Sequence, residues 1–286
     1  MSLEPIDGQH KGAVPVPGAG GAAVRKGVRE GRKLSDKPKR IKVLGVPVDC
    51  VDMAGAVRYA ESLFDERQAH TVLAVNPEKV MRARDDPQLL RELQSADLLI
   101  PDGIGVVVAA RVLGLGRMGR VAGSELMPEL CARAAATGHG VYLFGAQESV
   151  NEIAAKELVR RFPGLTIAGR HHGYVEERDI PGLIADINRS GAAILFVALG
   201  SPRQELWMGQ HREQFHLGVC QGVGGTFDVI AGHVRRAPRL FIRLNLEWLY
   251  RLLSNPGRLL RQTALPRFAG QVVWAALRAR LHWRRK

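Results

Sequence analysis

Residues 193–205 read AILFVALGSPRQE: an apolar run from Ala193 to Leu199 stops at Gly200-Ser201-Pro202 and gives way to Arg203-Gln204-Glu205. A run of this length without polar alternation, bounded by turn formers, fits a strand buried on both faces and falls far short of the ~20 residues that cross a bilayer. Working toward the N-terminus, Ile180 to Ser190 has helical spacing, Leu165 to Ala168 reads as a strand, and Ser149 to Phe162 as a helix. Gly140 to Phe144 is a strand ending in Gly145, and Glu125 to Thr137 a helix with Ser124 as its N-cap candidate. The apolar Leu98 to Ile100 breaks at Pro101-Asp102-Gly103-Ile104-Gly105, and Val106 to Leu113 resumes as helix. Before these come a helical stretch in two parts (Glu78 to Arg84, Pro87 to Ser95), a strand (Thr71 to Val75), a helix (Met53 to Gln68) and one short strand (Ile41 to Val48). Strands alternating with helices at this spacing predict an α/β fold, Rossmann-like, with a mainly parallel sheet flanked by helices.

The chain has 286 residues, 46% of them hydrophobic, which is ample for a core and rules out wholesale disorder. Its 32 glycines suit many tight strand-to-helix turns. Cysteines 50, 131 and 220 are odd in number and widely spaced, which indicates neither a disulfide framework nor a zinc site and fits a reducing compartment. No apolar segment of secretory-signal type stands near the first residue.

The net charge of +13 is unevenly placed. Residues 1–42 carry a net +6 and residues 233–286 a net +12, leaving −5 for the stretch between. Residues 1–40, rich in Gly, Pro, Ala and Lys/Arg without apolar periodicity, read as a disordered basic tail. Residues 41–238 form the α/β domain, and 239–286 a basic amphipathic helical C-terminal appendage. In the appendage, Leu240, Leu244, Trp248, Leu249, Leu252 and Leu253 share a helical face, and Val272, Val273, Trp274, Leu277, Leu281 and Trp283 are interleaved with Arg278, Arg280, Arg284 and Arg285. Tryptophan and leucine beside arginine is the make-up of an interfacial anchor attracted to an anionic membrane surface. Packing of the Leu240–Leu253 face on the sheet domain is the simpler alternative for the first helix.

In an open α/β sheet, ligands bind beyond the carboxyl ends of the strands. Asn76, Asp102, Gly145, Gly200 to Glu205 and Gly222 to Asp228 all fall at predicted ends of this kind. Asp102 between an apolar strand and a glycine turn is a candidate general base, since partial burial raises a carboxyl pKa; capping the following helix is the plainer reading. Gly222-Val223-Gly224-Gly225-Thr226-Phe227-Asp228 brings backbone amides within reach of a diphosphate, or is simply a tight turn. Arg203-Gln204-Glu205 places a guanidinium, a carboxamide and a carboxylate at one strand end, or on solvated surface. Asp85-Asp86 before Pro87 marks a helix break, and His171-His172 reads as a surface turn. No Asp-x-Asp pair is present, so no metal and no cofactor are expected.

The ordered set Asn76-Pro77-Glu78-Lys79-Val80, Ala96-Asp97 through Pro101-Asp102-Gly103, Arg120-Val121-Ala122-Gly123-Ser124-Glu125-Leu126, Gly200 to Glu205, Gly222 to Asp228, Arg236-Ala237-Pro238 and Leu246 to Leu252 resembles the WecG/TagA/CpsF glycosyltransferases, nearest the WecG branch. The resemblance runs collinearly over residues 41 to 268. It implies transfer of N-acetylmannosamine, its uronic acid or glucose from a UDP-sugar to a polyprenyl-diphosphate-linked sugar, in bacterial surface polysaccharide assembly at the cytoplasmic face of the inner membrane. The family's chemistry inverts the anomeric centre without a metal. On matching positions, Asp102 would be the base and Gln204 would hold sugar or nucleotide. Asn76, Gly103, Gly145, Gly200, Glu205 and Asp228 would line the same pocket, and glycines 222, 224 and 225 would bound the nucleotide. Arg251, Arg258 and Arg261 would reach in from the appendage to neutralise diphosphate charge. Ala74 stands where some members carry Thr, and Arg203 where Lys is frequent; both bear on which donor is used.

Two other classes fit parts of the sequence. A basic nucleic-acid-binding protein would account for the charged ends, but no binding module accompanies them, so no nucleic-acid partner is expected. A nucleotide-cofactor oxidoreductase would account for the fold class, but the early Gly-x-Gly-x-x-Gly is missing. Whether protomers form a homo-oligomer is not readable from the sequence.

Overall fold

A computed structural model describes residues 36–234, 238, 241, 250 and 263–283. The basic tail up to residue 35 lies outside the described residues. So do nearly all residues of the helix expected over Leu240–Leu253, Trp248 included, the arginines 251, 258 and 261, and the side chains of Arg280, Trp283, Arg284 and Arg285.

The stretch expected as one strand is a hairpin. β1 (Arg40–Val43) and β2 (Val46–Asp49) pair antiparallel about Leu44 and Gly45, both at positive φ (51° and 90°). Two consecutive left-handed residues are what a two-residue hairpin turn demands. Arg40 pairs with the buried Asp49 carboxylate at 2.7 Å, and Asp49 also accepts the Leu99 amide proton at 2.8 Å, which fastens the hairpin to the main sheet.

That sheet has six parallel strands: β3 (His70–Val75), β4 (Leu98–Pro101), β5 (Gly140–Gly145), β6 (Thr166–His171), β7 (Ile194–Ala198) and β8 (Val219–Gly222), in the spatial order β4-β3-β8-β7-β5-β6. In β7, Leu195 and Val197 face one apolar layer while Ile194 and Phe196 face the other, so the opening run is buried on both sides as its composition predicts. The first layer packs α2 (Pro77–Asp85), α3 (Pro87–Ser95), α4 (Ile104–Val112), α7 (Ile180–Arg189) and α8 (Arg203–His211) on the sheet; the second packs α1 (Met53–Ser62), α5 (Gly123–Thr137), α6 (Glu148–Arg161) and α9 (Thr226–Ile230). A final helix, α10 (Ala264–Trp283), packs across α2 and α4 and buries Phe268 and Val272 in the first layer.

Helix ends follow local chemistry. Asp86 closes α2 and caps α3, accepting the amide protons of Gln88 and Leu89, which is the break expected before Pro87. Ser124 is not the cap of α5: the helix begins at Gly123 with Ala122 in the capping position. α1 ends at Ser62, short of the expected Gln68. His171 belongs to β6, not to a turn, and its ring bonds the His172 carbonyl.

Candidate active site

The chain leaves β3 for β4 on one side and returns on the other side as β8, so a crevice opens beyond the carboxyl ends of β3 and β8. A cavity of about 700 Å³ occupies this place, walled by residues following β3, β4, β7 and β8 and roofed by α10.

Asn76 is the first residue after β3. Its side-chain oxygen accepts the Lys79 amide proton at 2.8 Å and caps α2. Asp102 is the first residue after β4, half-buried, and its backbone N–H donates to the Val75 carbonyl. Gly103, at φ 88°, holds the capping position of α4, so Asp102 stands outside the helix and faces the cavity without serving as its N-cap. Gln204 projects from the first turn of α8 and is 4% exposed. Its Nε2 donates to Glu205 at 3.0 Å, and its Oε1 accepts the Gly224 amide proton at 3.0 Å. The carboxamide lies against Gly222, where a Cβ would come within 2.8 Å of Nε2. Glycine at 222 is therefore the price of admitting Gln204 to the cavity floor. Gly224 takes φ 55° in the same loop.

Asn76, Asp102, Gly103, Gln204, Gly222, Gly224 and Gly225 thus all border one cavity. Four other expected residues do not. Gly145 sits where β5 presses on β7; at φ 120°, a Cβ there would lie 2.5 Å from the Ala198 carbonyl oxygen, so close packing explains the glycine. Gly200 turns the chain after β7 at φ 75° and Asp228 lies inside α9; each adjoins a wall residue, Ser201 and Val229, without bordering the cavity itself. Glu205 is sealed beneath the floor, 1% exposed, with its Oε1 2.6 Å from Lys79 Nζ. Burial pushes the Glu205 carboxyl up, but the Lys79 charge and the hydrogen bonds from Lys79 and Gln204 outweigh it and hold the group below the usual carboxylate range.

Several wall residues carry no expectation from single-residue reading. Arg120 lines the cavity and both Glu125 carboxylate oxygens lie 2.9 Å from its Nη2; it stood inside a recognised motif but without a role. Val108 and Val112 of α4 face Leu265, Phe268 and Val272 of α10 across an apolar wall. The sequence marks Val106 to Leu113 as helix and the appendage as an amphipathic helix, but not that the two meet. Among the described residues, no three His, Cys, Asp or Glu side chains form a metal-binding group.

A polar floor with a carboxylate, a guanidinium and a glycine loop, joined to an apolar wall, suits a ligand with an anionic or sugar portion and a greasy portion. Comparison with known proteins identifies a family and two relatives. Residues 41–282 match the Glycosyl transferase WecG/TagA/CpsF family. An N-acetylglucosaminyldiphosphoundecaprenol N-acetyl-beta-D-mannosaminyltransferase of Bacillus spizizenii is 37% identical over 230 residues, covering 79% of this chain and 88% of the relative. The protein of the same name in Bacillus subtilis is 35% identical over 229 residues, covering 80% and 89%.

Proposed function

Because the chain belongs to the glycosyl transferase WecG/TagA/CpsF family and is a glycosyltransferase, we propose that it moves a sugar from a UDP-sugar to a polyprenyl-diphosphate-linked sugar, with inversion and without a metal ion. N-Acetylmannosamine stands first among the three donor sugars, since both relatives carry it in their names. The same names put N-acetylglucosamine on the acceptor lipid.

The observation that carries this reading is the position of Asp102 on the wall that also holds the glycine loop and Arg120. In the proposed step, the acceptor hydroxyl oxygen forms a bond to the anomeric carbon as the bond to the β-phosphate oxygen breaks. Asp102 takes the hydroxyl proton, and the electron pair leaves with UDP. Negative charge then grows on the departing diphosphate. Arg120 is the described arginine on the wall, and Arg251, Arg258 and Arg261, outside the described residues, are proposed to join it. Amides of the Gly222–Gly225 loop would approach the nucleotide, with Gln204 and Asn76 beside it.

The lipid portion has a matching surface. Val108, Val112, Val273, Trp274, Leu277 and Leu281 are exposed apolar side chains on α4 and α10, and the Arg278 guanidinium lies 3.7 Å over the Trp274 ring. No described helix is long and apolar enough to cross a membrane. The proposal is peripheral attachment through α10 at the cytoplasmic face of the inner membrane, where a membrane-borne acceptor is within reach.

The test is an assay of purified protein with UDP-N-acetylmannosamine and a polyprenyl-diphosphate-linked N-acetylglucosamine, with EDTA present, read by mass spectrometry of the lipid product and by NMR of its new anomeric centre. One added N-acetylhexosamine in β linkage is the expected product. No transfer from any UDP-sugar in a panel, or transfer abolished by EDTA, overturns the corresponding part of the proposal.

A further inference from the structure

The buried pair Lys79–Glu205 belongs to α2 and α8, helices that follow β3 and β7, and its members are 126 residues apart in sequence. Glu205 Oε1 takes two donors, Lys79 Nζ at 2.6 Å and Gln204 Nε2 at 3.0 Å. Gln204 Oε1 then takes the Gly224 amide proton, while the Lys79 amide proton goes to Asn76. One continuous set of bonds therefore ties together the residues that follow β3, β7 and β8 around the cavity.

We propose that Lys79 and Glu205 are positioning residues: through Gln204 they fix the carboxamide in one orientation and so hold the Gly222–Gly225 loop in the shape that receives the donor diphosphate. This rests on the donor site proposed above. Neither residue is given a substrate contact, which replaces the pocket-lining role expected of Glu205.

Two observations support it. First, both partners of the Gln204 carboxamide bond in one direction only. A carboxylate accepts and an amide N–H donates, so Nε2 must face Glu205 and Oε1 must face Gly224. Take away the carboxylate, and Nε2 loses its acceptor, so the Gly224 amide proton alone is left to hold the carboxamide in place. Second, the pair is a poor device for stability. Glu205 Oε2 is buried without a hydrogen-bond partner among the described residues, which is costly, and apolar replacements for a buried ion pair are frequently neutral or stabilising. An arrangement that packs badly but orients a neighbour well is explained by the orientation.

Two variants separate this from a structural role. Lys79→Met/Glu205→Met removes both charges and fills the space, while Glu205→Gln keeps an oxygen that can accept from Lys79 and from Gln204 but leaves the Lys79 charge uncompensated. The positioning role predicts a crossed result. The double variant should melt near wild type yet lose roughly ten- to a hundredfold in kcat/KM, mainly through the donor KM, with faster amide exchange at Gly224. Glu205→Gln should melt lower yet retain the larger share of turnover and slow exchange at Gly224. Activity that simply follows stability in both variants, with Gly224 exchange unchanged in the double variant, overturns the proposal. If wild-type protein transfers nothing from a UDP-sugar, the donor reading has failed, and the Gly224 exchange measurement still decides whether the pair positions the loop.

Discussion

The backbone N–H of Asp102 donates to the carbonyl of Val75 at 2.9 Å, one step beyond the last paired residues of β3 and β4. This bond carries the parallel ladder to its limit and sets Asp102 beside Asn76 at the switch of the sheet. The Asp102 backbone is thereby fixed by two strands, a rigid mounting for the residue proposed as the base.

Asp102→Asn should preserve the fold and lower turnover by roughly 10²- to 10⁴-fold, the usual worth of a positioned base. Circular dichroism and thermal melting establish the fold, and product formation measures the loss. Wild-type turnover in this variant removes Asp102 as the base.

Arg120→Ala should depress kcat by roughly ten- to a hundredfold if its guanidinium answers the charge on departing UDP. Arg120→Lys should restore only part of it, since an ammonium keeps the charge but not the guanidinium's fork of donors, of which Nη2 alone is taken up by Glu125. Full activity in the alanine variant would leave diphosphate stabilisation to other cations.

Gly145→Ala separates packing from chemistry. A methyl group there would meet the Ala198 carbonyl at a φ that side chains rarely adopt, so the variant should lose about 1–3 kcal/mol of stability in chemical denaturation. The KM of the folded fraction should stay at the wild-type value; a raised donor KM with unchanged stability would return Gly145 to the site.

The depressed Glu205 carboxyl predicts a pH dependence with a definite sign. As pH falls through the ordinary carboxylate value of 4.5, the unfolded chain takes up this proton before the folded one does. The stabilisation is therefore complete above that value and is lost as pH drops toward the folded pKa. Urea unfolding from pH 7 downward should show a decline that is shallower in Glu205→Gln; identical slopes in the two proteins contradict it.

Trp274→Glu/Leu277→Glu should weaken flotation with anionic vesicles while leaving melting unchanged, because both side chains lie on the exposed face of α10. Truncation before Phe268 is a less clean experiment, since it also strips Phe268 and Val272 from the core. Undiminished flotation of the double variant places the membrane contact elsewhere.

Much of the fold was legible because burial and periodicity are local signals. The β7 run and the Asp86 break were read directly. The β1–β2 hairpin was not, since Leu44 is no turn former and its positive φ is imposed by the pairing of the flanking strands. At the site, Asp102 and Gln204 were found at strand ends. Sequence could not separate Gly145 from Gly222: both end strands, but one faces a neighbouring strand's carbonyl and the other a carboxamide. Nor could it separate Gln204 from Glu205, adjacent residues of one helical turn, until the fold brought Lys79 to the second of them.

The position of β8 has a consequence for how the protein is made. Among the described residues it is the last strand in sequence, yet it lies between β3 and β7 in the middle of the sheet. Until residues 219–222 leave the ribosome, the growing chain has two unjoined sheet fragments, each with an open, apolar inner edge that invites pairing with other chains. Inserting that strand closes both edges and, in the same event, brings the Asn76 and Asp102 side of the cavity against the Gln204 side. A chain that stops short of residue 219 therefore lacks the strand that both seals the sheet and joins the two sides of the cavity.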